Sequence, residues 1–200
     1  MSTDRTVSFE FFPPKDEAAE QKLIHEVVPR LAAFNPEFLS VTYGAGGSTR
    51  DGTFSTIKKL QSLKLDPVPH LSVGSDSDHE IIKMITSYRK LGVTTILALR
   101  GDAPSGYGAG ETKNAAYLVR LIREEFGDDL RVLVAAYPEI HPESETLDID
   151  IAFFKEKVEA GADSAITQFF YNPDAYDNFL NEIDKKDICV PIIPGVMPIQ

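Results

Sequence analysis

Cysteine and tryptophan are almost missing from this chain: its 200 residues include one Cys, Cys189, and no Trp. A single thiol excludes an internal disulfide framework and most cysteine-based metal clusters. Basic residues are also scarce, with 20 Lys and Arg against 31 Asp and Glu and a formal charge of −11. A surface of that sign repels phosphate backbones and anionic lipids at long range, so neither nucleic acid nor membrane is expected as the main partner. Long apolar runs are lacking too. No stretch approaches the roughly 20 residues that cross a bilayer, and Met1-Ser2-Thr3-Asp4-Arg5 has no apolar core of the secretory kind. A cytoplasmic globular chain is expected, with one domain as the starting expectation for this length.

What is present is an alternation of short apolar runs and longer amphipathic stretches. Strands are expected at Val7–Phe11, Phe38–Thr42, Val68–Ser72, Thr94–Leu99, Arg131–Ala136, Ser164–Phe169 and Val190–Pro194. Helical patterns fill 16–33, 53–63, 77–91, 112–126, 148–160 and 173–185. Gly92 and Gly161 follow two of them as C-terminal caps, and Asn172-Pro173 heads the last. Hairpin signals are absent and the strands are rich in Val, Ile, Leu and Phe, so a parallel sheet covered on both faces is expected. An open nucleotide-binding sheet would carry a Gly-rich turn after its first strand, whereas here that strand runs into Phe11-Phe12-Pro13-Pro14. A (β/α)₈ TIM barrel, in the α/β class, is the better reading.

Barrel enzymes place their chemistry at the C-terminal ends of the strands. Those positions hold Glu10, Thr42, His70, Arg100 with Asp102, Tyr137 with His141, and Gln168. They recur at intervals of about 30 residues, the length of one βα unit. Strand ends are polar in any fold, and for Thr42 or Gln168 alone that explanation weighs as much as function. Glu10 is the sharpest residue. It lies among Phe9, Phe11 and Phe12, where burial would raise its pKa into the range of a general acid near neutral pH. A structural Glu paired with Arg or Lys is the alternative. Asp102 reads equally well as a holder of Arg100 or as a group facing a ligand. The four His residues show no HxH or HxxxH spacing, and no metal site is expected. No strand ends in the Lys of a Schiff-base aldolase. Asp150 and Lys157 share a helix face, and spacing alone makes that face solvated.

The run Ser8-Phe9-Glu10-Phe11-Phe12-Pro13-Pro14 resembles the opening strand of the methylenetetrahydrofolate reductase family. The resemblance continues through Ser40-Val41-Thr42-Tyr43-Gly44-Ala45, Pro69-His70-Leu71, Ala98-Leu99-Arg100-Gly101-Asp102 and Ala135-Ala136-Tyr137-Pro138-Glu139-Ile140-His141-Pro142. It ends with Gly161-Ala162, Ile166-Thr167-Gln168-Phe169-Phe170 and Ile193-Pro194-Gly195. It implies a (β/α)₈ barrel that binds FAD and reduces 5,10-methylenetetrahydrofolate to 5-methyltetrahydrofolate, with NAD(P)H as the electron donor in a ping-pong cycle. It implies further that Glu10 is the general acid at folate N10, that Asp102 tunes the flavin and helps bind folate, and that Gln168 contacts folate and nicotinamide nucleotide. Flavin contacts are implied at Thr42, His70, Arg100, Gly101, Asp102, Tyr137, His141, Asp150 and Lys157, which overturns the solvated reading of the last two. Bacterial members of the family suggest self-association. Residues 1–200 are expected to form a single catalytic domain that stops after the seventh strand, with an eighth βα unit missing. A truncated, non-catalytic flavin-binding or interaction module is the alternative, and an unrelated hydrolase using Glu10 and Asp102 is a third. The choice between NADH and NADPH is left open.

Overall fold

The computed structural model describes residues 5–43, 50–74, 76–100 and 113–197. Among them seven strands alternate with helices: β1 (Phe9–Phe11), β2 (Leu39–Val41), β3 (Pro67–Ser72), β4 (Thr95–Leu99), β5 (Arg131–Ala136), β6 (Ser164–Thr167) and β7 (Ile192–Ile193). The helices are α1 (Glu17–Lys22), α2 (Val28–Ala32), α3 (Arg50–Ser62), α4 (Asp78–Lys90), α5 (Ala115–Phe126), α6 (Leu147–Glu159) and α7 (Pro173–Lys185). Strand order equals chain order, and β1–β2–β3 and β5–β6–β7 pair in parallel. This is the βα succession of a (β/α)₈ barrel carried through its seventh strand. The chain packs as two compact units, one made of Met1–Leu71 and Asp76–Ile96, the other of Ser72–Ser75 and Leu97–Gln200.

In the first unit, Leu39 and Val41 of β2 pack with Val28, Ile57, Leu60, Tyr88 and Val93 in one buried cluster. Helix α4 has its predicted start: Ser77 and Glu80 form a reciprocal capping box, and Ile81, Ile85 and Tyr88 bury one face. The continuous helix expected over 16–33 is instead interrupted. Asp16 caps α1, accepting from Ala19 N at 2.8 Å. A π-helical turn, Leu23–Val27, then leads into α2. Pro29 has no N–H and its ring would collide with the carbonyl four residues back in an α-helix. Widening the turn relieves this, and Val28 N–H donates to Leu23 O, five residues earlier.

In the second unit, Val132, Leu133 and Val134 of β5 are all fully buried, as a strand covered on both faces requires. Asn114 caps α5 by accepting from Tyr117 N at 2.8 Å, and Asn172 caps α7. Strand β7 is shorter than the expected Val190–Pro194, because Pro191 and Pro194 on either side of it lack the N–H a ladder needs. Arg123, projecting from α5, ties the N-terminal ends of β5 and β6 together. Its guanidinium donates to Gly161 O from Nε and Nη2, and to Gly127 O and Leu130 O from Nη1. It also pairs with Asp163 at 2.5 Å, and the same carboxylate accepts from Val132 N. Gly195 sits where a side chain does not fit, since a Cβ there would lie 2.3 Å from Thr167 O.

Candidate active site

In the first unit, register alone brings three side chains together. Glu10 is level with Ser40, and Ser40 with Val68, so His70, two residues beyond Val68, shares their face of the sheet. His70 is buried, and its Nε2 stands 3.4 Å from Glu10 Oε2. That nitrogen has no hydrogen-bond partner among the described residues. The Glu10 side chain is 51% exposed, which corrects the expectation of a carboxyl sunk among aromatic rings. Its pKa is lowered, not raised: the contact with His70 outweighs desolvation, and the Ser40 hydroxyl favours the charged form as well. Aromatic neighbours in sequence point to the opposite face of a strand and cannot dehydrate a residue between them. Ser40 is the member of this group that sequence reasoning passed over; the register of β1 on β2 is what reveals it.

Thr42 follows β2 and is buried, with its carbonyl accepting from Thr53 Oγ1 at 2.9 Å. Its own Oγ1 is buried and has no partner among the described residues. A buried hydroxyl left unmatched is costly, and it fits a place where a ligand supplies the missing bond.

The second unit gathers five of the predicted residues around one cavity of about 310 Å³. Arg100, Tyr137, His141, Asp150 and Lys157 line it with Phe153, Glu143, Ser144, Asn114 and the start of α5. The loop after β5 bends through Ile140, whose φ of +66° is a strained left-handed conformation for a β-branched residue. The bend sets the His141 ring edge-on to Tyr137, with centroids 4.5 Å apart. His141 Nδ1 accepts from Glu143 N at 3.1 Å, which leaves Nε2 as the donor of the neutral ring.

Asp150, in the first turn of α6, is 8% exposed and accepts from His141 N and Ser144 Oγ, each at 3.2 Å. Lys157, two turns on, donates to Ala135 O at 2.6 Å and lies over the Tyr137 and Phe154 rings. Burial pulls its pKa down from 10.5 to about 8, although Asp150 pulls the other way. The Asp150–Lys157 face is therefore turned into the cavity and is not a solvated surface. Arg100 pairs with Glu143, which spacing did not single out. The guanidinium holds the Glu143 carboxyl below its ordinary range.

Gln168 lies at the end of β6, exposed, with its backbone N–H on Ala136 O and its Oε1 accepting from Phe169 N. It is not among the cavity residues. Gly101 and Asp102 lie outside the described residues. Among the described residues no group of three His, Cys, Asp or Glu side chains could hold a metal ion, and no helix is long and apolar enough to cross a membrane.

Taken as a ligand site, the cavity combines two cationic groups, a carboxylate that can accept from hydroxyls, the half-buried ring of Tyr137 and the exposed ring of Phe153. That donor set suits a molecule with an anionic group, a polyhydroxyl portion and a flat ring. A dinucleotide such as FAD fits it.

Comparison with known proteins gives these residues a context. A sequence profile described as methylenetetrahydrofolate reductase matches residues 1–200. The 5,10-methylenetetrahydrofolate reductase of Salmonella typhimurium is 42% identical over 195 residues, covering 97% of this chain and 64% of that protein. A probable methylenetetrahydrofolate reductase (NADH) of Oryza sativa subsp. japonica is 39% identical over 98% of this chain and 36% of its own length. This chain thus spans somewhat less than two thirds of the bacterial relative. Among solved structures, an uncharacterized protein from Clostridium thermocellum that binds two copies of 5-methyl-5,6,7,8-tetrahydrofolic acid superposes with a TM-score of 0.67. It is 18% identical, with 94% of this chain and 65% of that one covered, a likeness of fold.

Proposed function

The chain belongs to the methylenetetrahydrofolate reductase family, and we propose that it carries the larger part of a single catalytic domain that reduces 5,10-methylenetetrahydrofolate to 5-methyltetrahydrofolate with NAD(P)H. The reading places it in the cytoplasm, in one-carbon folate metabolism and methionine supply, and allows for self-association. The observation that carries it is the cavity of the second unit, where Arg100, Tyr137, His141, Asp150 and Lys157 converge from two strand ends and one helix.

FAD, when bound, would relay a hydride from the nicotinamide nucleotide to the folate. The residues that would hold it include Lys157 and Arg100 against its anionic groups, Asp150 as an acceptor for hydroxyls, and Tyr137 and His141 as ring contacts. Further flavin contacts are proposed at Thr42, whose hydroxyl has no partner among the described residues, at His70 and at Gly101. Asp102 would serve both cofactor and folate, and Gln168 the folate and the nicotinamide nucleotide. Arg100 would exchange Glu143 for the ligand's anionic group, so one ion pair replaces another and no cation is left bare.

Glu10 would give a proton to the folate nitrogen that leaves the methylene carbon. Its half-exposed position lets substrate reach it, and His70 and Ser40 fix its orientation. Proton donation at that nitrogen opens the ring and creates the electron-poor carbon that accepts hydride.

The test is spectroscopic. Purified protein mixed with FAD should show flavin absorption that survives gel filtration. NAD(P)H should bleach it, and methylenetetrahydrofolate should restore it. Glu10→Gln should bleach normally and recover at least a hundredfold more slowly, in line with the loss of a general acid. Flavin uptake without folate-driven recovery in the unaltered chain would favour a flavin-binding module, and no uptake at all would end the proposal for this chain.

A further inference from the structure

A group that protonates a substrate nitrogen must hold a proton when substrate arrives, yet the surroundings of Glu10 favour its carboxylate. The neighbour chiefly responsible is His70. Its side chain is 7% exposed, and the Nε2 that lies 3.4 Å from Glu10 Oε2 finds no hydrogen-bond partner among the described residues. A buried ring nitrogen is not left unmatched at no cost, and the carboxylate is what it faces. The parallel register holds the two there, with His70 one residue pair further along the same sheet face. Ser40, the other group acting on Glu10, is a neutral hydroxyl throughout the titration range.

A carboxylate beside an imidazolium and a carboxylic acid beside a neutral imidazole carry the same net charge. They differ only in where one proton sits, and such a pair titrates as a unit. We propose that His70 is the proton partner of Glu10: the two share one proton, and the pair delivers it to the substrate, with Glu10 as the contacting group and His70 as the store behind it.

The proposal rests on the reductase reading above. The proton passes from His70 Nε2 to Glu10 Oε2. The Glu10 O–H bond then breaks as an N–H bond forms on the substrate. The pair is left as carboxylate and neutral imidazole, and its next proton enters from water through the exposed Glu10 carboxylate; no atom changes oxidation state in these steps. An exposed Glu10 beside a buried His70 suits this division, since the store is shielded from solvent while the donor reaches the substrate.

Two measurements test it, and the first needs neither cofactor nor substrate. Carboxyl ¹³C NMR, with the Glu10 signal identified by its loss in Glu10→Gln, should give a titration midpoint below the ordinary carboxylate range. In His70→Gln the midpoint should rise by at least one pH unit, a tenfold change in proton affinity. His70→Asn provides the same neutral replacement should the longer amide fail to fold. An unchanged midpoint overturns the pairing whatever the protein's activity.

The second measurement uses flavin-loaded protein in rapid mixing. Folate-driven flavin recovery should persist through neutral pH in the unaltered chain. In His70→Gln, loaded with flavin to the same extent, it should fall about tenfold for each pH unit above the carboxyl midpoint. Matching recovery profiles overturn the shared proton. A chain that takes up flavin but never recovers with folate overturns the reductase reading instead, and the NMR midpoint then decides the pairing alone.

Discussion

Replacing Lys157 by Met should make the protein more stable at neutral pH and less stable in alkali. Burial takes the ammonium from its ordinary 10.5 down to about 8. A fall of that size corresponds to about 3 kcal/mol of unfavourable ionisation in the folded state. Below the folded value both states are protonated, and the whole penalty is present. Between the two values the unfolded chain binds more protons than the folded one, so stability from this group rises with pH across that window.

Methionine fills much the same volume without the charge and forfeits the bond to Ala135 O, worth about 1 kcal/mol. The net expectation at pH 7 is a gain of about 2 kcal/mol, turning into a loss of about 1 kcal/mol near pH 10.5. Urea unfolding of both proteins across that range, compared as differences so that other titrating groups cancel, reads the inversion directly. A difference that stays constant within about 0.5 kcal/mol from pH 7 to pH 10 would refute the assignment of Lys157 as a buried amine. A functional corollary follows: an anion entering the cavity restores the favourable charge state. FAD binding near pH 9 should then take up protons, measurable by calorimetry in buffers of different ionisation enthalpy.

Thr42→Val should stabilise the ligand-free protein by about 1 kcal/mol, because it removes a buried Oγ1 that has no partner among the described residues; flavin titration should nonetheless show weaker binding by several fold, and equal affinity would mean the hydroxyl faces no ligand. Arg123→Met should cost about 3 kcal/mol, since the carbonyls of Gly127, Leu130 and Gly161 lose their common donor. Arg123→Lys should recover less than half of that, as one ammonium cannot span the fork, and thermal unfolding distinguishes the two. Gly195→Ala should destabilise by about 2 kcal/mol or displace the segment after β7, because the new methyl meets a backbone carbonyl and not a flexible side chain; an unchanged melting temperature would contradict that geometry.

Periodicity carried the strand succession and the helix caps because each depends on neighbours within a few residues. The π turn at Leu23–Val27 escaped it: Pro29 signals disturbance, but whether a helix stops or widens depends on what packs around it. Strand ends at Val7 and Val190 frayed for the same reason, since pairing partners are not written in the local run. At the site, Glu10 and His70 were each legible as strand-end polar residues, yet the direction of the Glu10 shift depended on a partner 60 residues away in the chain. Asp150 and Lys157 show the limit most clearly. Their spacing fits a wetted helix face equally well, and only the family resemblance pointed inward. Glu143 carried no signal of its own, because its role is to balance Arg100.

The clamp around Arg123 and the cavity around Lys157 occupy opposite ends of the same strands. Gly127, Leu130 and Asp163 precede β5 and β6, whereas Tyr137 and His141 follow β5. Selection can therefore act on each separately. Substitutions in the loops after the strands can drift toward a different ligand while the hydrogen bonds before the strands keep the fold intact, and the two sets of changes should combine additively. A lineage that keeps the Arg123–Asp163 pair has a foundation on which new chemistry can be tried with little risk of losing the fold.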